Sequence, residues 1–375
     1  MKFIDLKAQQ NHLIESNLTL RDKINKRIKK VLDEGNFILG PEVKELEEAL
    51  KNFTGSKFCI TTASGTDSLL IALLAIGLKP GDEVITTPFS FISTSETIAL
   101  LGGIPKYVDI DPKTFNINPQ KIEARINERT KAILPVSLYG QTANFTEINK
   151  IATKYNLPVI EDGAQSFGAE HFRKRSCNLS TIGTTSFFPS KPLGCYGDGG
   201  ACFTNDEELA EKMRTISLHG QTKRYFHEKI GINGRLDTIQ AAILLEKLAI
   251  FNKEILLRNQ IAERYTKGLN QIGIKATPFI AKENLSVFAQ YTILVENRDY
   301  FQLTLKDKNI PTSVHYPRLL YRQPALSEIS KDELNQSNFL FSCSEELCKK
   351  VVSLPMYPYL TNKDQNRIID AIGEL

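Results

Sequence analysis

The feature that most constrains this chain is a recurrence, over its first two hundred residues, of short β-rich runs separated by helix-like segments. The runs are FCITT at 58–62, EVITT at 83–87, KYVDI at 106–110, KAILPV at 131–136, LPVIED at 157–162, TTSFF at 184–188 and ACFT at 201–204. Between them lie periodic stretches such as DSLLIALLAIG at 67–77 and FTEINKIATKY at 145–155. Continuous apolar strands alternating with amphipathic helices indicate an α/β protein whose mostly parallel sheet is covered on both faces. Past about residue 244 the character changes. A long helical stretch through 246–269 leads to a mixed region with strand candidates VFAQYTILV at 287–295 and TSVHYP at 312–317. A large domain over 1–250 and a smaller α+β domain over 251–375 are therefore expected.

The chain's 375 residues are enough for two or three domains, and 41% apolar with 24% charged residues is ordinary for a soluble globular protein. The 47 basic and 43 acidic residues leave a net charge of +4, too balanced for a nucleic-acid partner but compatible with an anionic small substrate. The first residues, MKFIDLKAQQNHLIES, lack the apolar core of a signal peptide, and no apolar stretch is long enough to span a bilayer. A cytoplasmic protein without membrane partners is expected. Cys59, Cys177, Cys195, Cys202, Cys343 and Cys348 are scattered without zinc spacing, as are the five histidines, so reduced thiols and no metal site are expected. The basic run RDKINKRIKK at 21–30 reads as the solvated face of a helix.

Chemistry concentrates around Lys191, in SFFPSKPLGCYGDGG at 186–200. A lysine is usually a solvated surface group. One set among small residues after a strand, with its pKa lowered by desolvation, can instead form a Schiff base with a carbonyl, as lysines do with pyridoxal phosphate. The other parts of such a site follow in chain order. In TTASGTDSLL, Ser64 and Asp67 have capping-box spacing, so a helix starts near Gly65. Its amides and the Thr66 hydroxyl suit a phosphate. Asp162 closes a strand, where a carboxylate faces the ligand crevice of a parallel sheet and could keep a pyridine nitrogen protonated. Gln165 could bond the ring oxygen, and Ser186 could donate to the phosphate. Phe89 or Phe91 could stack on the ring, although core packing is the commoner use of phenylalanine. Asn233 and Arg235, in GINGRLD, are anion donors in a glycine-rich loop. Each part alone has a bland explanation; together and in this order they point to a pyridoxal phosphate site.

With these residues in place, the chain resembles the DegT/DnrJ/EryC1/StrS family of sugar aminotransferases. The motifs run from FIDLKAQ through SGTDSL, PFSFIST, VIEDGAQSFGA, SFFPSK, GDGGA and GINGRLD to SVHYP. The resemblance implies an aspartate aminotransferase-like fold, type I, with a seven-stranded sheet in the large domain, and pyridoxal 5′-phosphate as cofactor. By it, Lys191 carries the cofactor and moves protons, Asp162 pairs with the ring nitrogen and Gln165 meets the ring oxygen. Gly65, Thr66 and Ser186 hold the phosphate, with Asn233 supplied by the neighbouring subunit of a homodimer. Some members have histidine at the lysine position and act as dehydratases; lysine here argues for transamination. SFFPSKPLGCYGDGGA with HYP downstream is most similar to enzymes that use UDP-2-acetamido-2-deoxy-3-oxo-glucuronate, with L-glutamate as donor and 2-oxoglutarate as product, in O-antigen synthesis. Arg235, His315 and Tyr316 are the candidate sugar contacts, whereas the stretch around Tyr321 and Arg322 has no match. Two alternatives stand beside this: amination at the fourth carbon of a UDP- or dTDP-4-keto-hexose, and a non-catalytic regulatory protein on the same fold. The lack of a GxGxxG after any of these strands argues against a nicotinamide dehydrogenase.

Overall fold

Seven strands build the central sheet of the computed structural model, which describes residues 1–15, 17–335 and 340–375. They are β1 (Phe58–Thr62), β2 (Glu83–Thr86), β3 (Ile104–Tyr107), β4 (Thr130–Ile133), β5 (Ile160–Asp162), β6 (Ile182–Ser186) and β7 (Gly200–Thr204). The spatial order is β1-β7-β6-β5-β4-β2-β3, the β5–β4 junction being made by parallel bridges Ile133–Val159 and Val136–Asp162. Only β7 runs antiparallel to its neighbours. Strands buried on both faces explain the unbroken apolar runs of the sequence. One run is displaced: KYVDI was expected at 106–110, but β3 begins at Ile104, directly after the turn at Gly102 (φ 74°). Val108 and Ile110 are buried outside the sheet, where Ile110 bridges to Ile117.

Helices α1 (Leu20–Glu34), α2 (Pro41–Thr54), α3 (Gly65–Ala75), α4 (Ser93–Leu100), α5 (Phe145–Lys154) and α6 (Glu207–Ser217) accompany the sheet. On α1 the apolar Leu20, Ile24 and Val31 are buried while Arg21, Lys26, Lys29 and Lys30 are exposed, which gives the solvated basic face. Helix α7 (Thr238–Gln271) starts earlier than the expected 246 and carries two cores in succession. Its Ala241, Leu244, Phe251 and Ile255 pack with Leu46 of α2 and Phe203 of β7. Its Ile261, Ala262, Tyr265 and Leu269 belong to a second core. That core includes β8 (Tyr291–Leu294), α8 (Arg298–Asp307), β9 (Val351–Leu354) and α10 (Asn362–Gly373), with α9 (Ser342–Lys350) leading into β9. β8 and β9 pair antiparallel; TSVHYP contributes only a single bridge, Ser313–Ser353, instead of a strand. All six cysteines are free, five of them buried. Among the described residues no helix is long and apolar enough to cross a membrane.

Candidate active site

The C-terminal ends of β5 and β6 and the N-terminus of α3 meet at a cavity of about 430 Å³. Asp162, the last residue of β5, is 6% exposed, and its Oδ2 accepts a hydrogen bond from Thr94 Oγ1 at 2.9 Å. Oδ1 accepts from the Ala164 amide at 3.2 Å. Burial pushes the Asp162 pKa up, while those two bonds and the charge of Lys191 oppose the rise. Lys191 lies in the loop after β6 and lines the same cavity. Desolvation lowers its pKa, against the pull of Asp162. The pair is therefore a carboxylate and an amine whose burial disfavours charge on both and whose mutual attraction restores part of it.

The phosphate side is shaped by a missing side chain. Ser64 caps α3, its Oγ accepting from the Asp67 amide at 3.0 Å and donating to Asp67 Oδ2 at 2.9 Å. A Cβ on Gly65 would meet Ser186 Cβ at 2.5 Å and Ser186 Cα at 3.1 Å. Only glycine lets the first turn of α3 lie against the end of β6. This close approach brings the amides of the first turn, Thr66 and Ser186 onto one wall.

Across the cavity, Gln165 is held by both ends: Oε1 accepts from the Tyr139 amide at 2.9 Å, and Nε2 donates to the Tyr316 hydroxyl at 3.0 Å. Tyr316 approaches Phe91, ring centroids 6.1 Å apart. The imidazole of His315 is 2.9 Å from Ser353 Oγ through Nδ1, and burial lowers its pKa to about 4. The Tyr139 hydroxyl donates to the His315 carbonyl.

Eight of the eleven residues proposed from sequence line this one cavity: Gly65, Thr66, Asp162, Gln165, Ser186, Lys191, His315 and Tyr316. Three do not. Phe89 is 1% exposed and packs against Phe115 in the core at 6.2 Å, so of the two rings proposed it is Phe91 that lines the cavity, together with Phe188. Arg235 is partly buried away from the cavity lining, its Nε buried without a partner among the described residues. Asn233 is exposed beside it, bridges to Leu218 and is not part of this chain's own cavity. Thr94 and Tyr139, which hold Asp162 and Gln165, were not singled out in the sequence. Their separation from these partners, 68 and 26 residues, leaves no local signal. The set suits pyridoxal phosphate: an amine that burial brings toward neutrality, a buried carboxylate, and a helix N-terminus with no Cβ in the way.

A model of the DegT/DnrJ/EryC1/StrS aminotransferase family matches residues 19–373. The chain is 55% identical over 360 residues to the UDP-2-acetamido-2-deoxy-3-oxo-D-glucuronate aminotransferase of Pseudomonas aeruginosa, covering 96% of each. It superimposes with a TM-score of 0.91 on the crystal structure of a DegT/DnrJ/EryC1/StrS aminotransferase from Brucella abortus, at 40% identity over 99% of this chain and 98% of the other. NtdA of Bacillus subtilis, solved with its bound cofactor PMP, superimposes with a TM-score of 0.86 at 33% identity, covering 95% of this chain and 81% of the other. The fold is that of the type I pyridoxal phosphate enzymes.

Proposed function

Because the chain belongs to the DegT/DnrJ/EryC1/StrS aminotransferase family, whose members work with pyridoxal phosphate, we propose that it moves an amino group from L-glutamate to UDP-2-acetamido-2-deoxy-3-oxo-glucuronate. The chemistry of the P. aeruginosa relative supports that sugar. The product, a nucleotide-linked 3-amino-uronic acid, serves O-antigen or related surface-glycan synthesis in the cytoplasm. The observation that carries the reading is Asp162 and Lys191 on one cavity whose floor is the glycine-opened N-terminus of α3.

When bound, the cofactor supplies a ring that takes up the electron pair left as a C–H bond breaks. The residues do the rest. Asp162, anchored by Thr94 and the Ala164 amide, keeps the ring nitrogen protonated. The α3 amides, Thr66 and Ser186 hold the phosphate, with Asn233 of a second subunit completing it in a homodimer. Gln165, fixed by the Tyr139 amide, orients the ring oxygen. Lys191 would hold the cofactor through its side-chain amine, and that amine, once free, would serve as the base and acid that moves the proton at the substrate's amino-bearing carbon. Desolvation favours its neutral, basic form. His315 and Tyr316 face the sugar; His315, neutral at physiological pH, acts there as a hydrogen-bonding group without charge. Arg235 has no place in this chain's own cavity and is not proposed as a sugar contact within it.

The test is incubation with glutamate and a panel of nucleotide keto-sugars, with products identified by mass and NMR. The amine is expected on the third carbon of the uronate. An amine on the fourth carbon of a keto-hexose, or no product from any sugar, would refute the assignment.

A further inference from the structure

One buried charge lies outside this machinery yet bears on it. Lys247 of α7 is 1% exposed, and its ammonium donates to the carbonyl of Gly194, three residues after Lys191. It also lies over the Tyr196 ring, 5.3 Å from the centroid. About two helical turns earlier, Gln240 receives the Tyr196 amide on Oε1 at 2.9 Å and returns its Nε2 toward the Tyr196 carbonyl at 3.5 Å. The loop that α7 grips in this way is otherwise closed on itself. The Lys191 amide donates to the Phe188 carbonyl at 2.8 Å and the Cys195 amide to the Phe187 carbonyl at 2.8 Å. A Cβ on Gly194 would meet the Pro189 carbonyl oxygen at 2.6 Å, so the turn is tight. A lysine ammonium buried on a carbonyl and a ring, with no carboxylate within ion-pair distance among the described residues, is a costly arrangement. Burial brings its pKa down to about 8, with Glu254 and the Cys195 thiol working against the shift and Arg258 with it.

We propose that Lys247 is a positioning residue for Lys191, holding the Gly194 carbonyl from α7 so that the loop keeps its amine aimed into the cavity. The inference rests on the reading of Lys191 given above. It also explains why a charge is kept where packing alone would favour a hydrocarbon. Lys247→Met keeps the length of the side chain and removes the charge; relief of the buried ammonium and loss of the donor to the buried Gly194 carbonyl oppose one another, so the fold survives without a large change in thermal stability. What changes is the loop.

The experiment compares wild-type and Lys247→Met holoenzymes by amide hydrogen exchange, thermal melting, the visible absorbance of the lysine-bound cofactor, and steady-state kinetics. Loss of a hydrogen bond from a charged donor predicts exchange in 188–197 about tenfold faster or more, with kcat lowered about tenfold and KM for the amino donor unchanged. Gln240→Ala is expected to loosen 195–197 alone. Exchange in 188–197 equal to wild type would overturn the proposal. So would loosening spread evenly over the chain with a lowered melting temperature, which marks a merely structural role. Failure of the underlying reading shows separately, as a wild-type protein that gains no visible absorbance with pyridoxal phosphate.

Discussion

Gly65→Ala adds one methyl group at the point where the first turn of α3 touches β6, and its consequences can be worked out from the geometry. In an open helix the change would help by about 1 kcal/mol through backbone propensity. Here the new Cβ meets Ser186 Cβ at 2.5 Å and Ser186 Cα at 3.1 Å. Neither is the end of a flexible side chain, so the helix terminus must move back by about 1 Å to restore ordinary contact at carbon–carbon separation. Overpacking of this kind costs about 1–3 kcal/mol of stability. The same shift carries the first-turn amides out of hydrogen-bond range of a phosphate seated there. Each charge-assisted bond contributes about 1.5–3 kcal/mol, so cofactor affinity should fall about 10- to 150-fold. The assay is a titration of apoenzyme with pyridoxal phosphate, followed by absorbance, alongside thermal melts without cofactor. A double-mutant cycle with Ser186→Gly isolates the clash: with the Ser186 Cβ gone, Gly65→Ala should be milder than in the wild-type background. A variant that is destabilised yet binds cofactor with wild-type affinity would refute the placement of the phosphate at α3.

Further expectations follow from the same residues. Asp162→Asn keeps the Thr94 and Ala164 contacts within reach of an amide but removes the charge. kcat should fall about 10²- to 10³-fold with little loss of folding stability, and unchanged kcat would exclude Asp162 from the reaction. His315 has its folded pKa lowered from 6.5 to about 4, so the unfolded chain takes up a proton first as pH falls. The stability it contributes is complete above about pH 6.5 and is lost as pH drops toward 4, by about 3 kcal/mol in all. Urea unfolding should therefore show wild-type stability falling more steeply than that of His315→Gln between pH 6.5 and 4, by about 3 kcal/mol over the window; parallel pH dependences would show that His315 titrates normally.

The architecture was legible because strands buried on both faces write continuous apolar runs, and all seven runs correspond to strands of one sheet. Their edges were less so. KYVDI reads as strand to Ile110 because Val108 and Ile110 are buried, but burial in a loop and burial in a sheet look alike in sequence. TSVHYP reads as strand from its β-branched and aromatic content, yet its polar groups are taken by side chains, Ser353 on His315 and Gln165 on Tyr316. The choice between Phe89 and Phe91 was undecidable locally. Both sit in one short loop, and only the arrival of Phe115, from a distant part of the chain, makes a core site for Phe89. The cavity-lining residues that could be picked out from sequence are those with chemistry of their own, Lys191 and Asp162 foremost. Those that were not, Thr94, Tyr139 and Lys247, act on other residues across long separations.

The central claim is that Lys191 carries the cofactor, and reductive trapping tests it most directly. Holoenzyme loaded with pyridoxal phosphate is treated with borohydride, digested, and its peptides sequenced by mass spectrometry. The account predicts a single phosphopyridoxyl-lysine, at Lys191, that disappears when the protein is first incubated with glutamate to give the amino form of the cofactor. A stable label on any other lysine, with Lys191 unmodified, would contradict it.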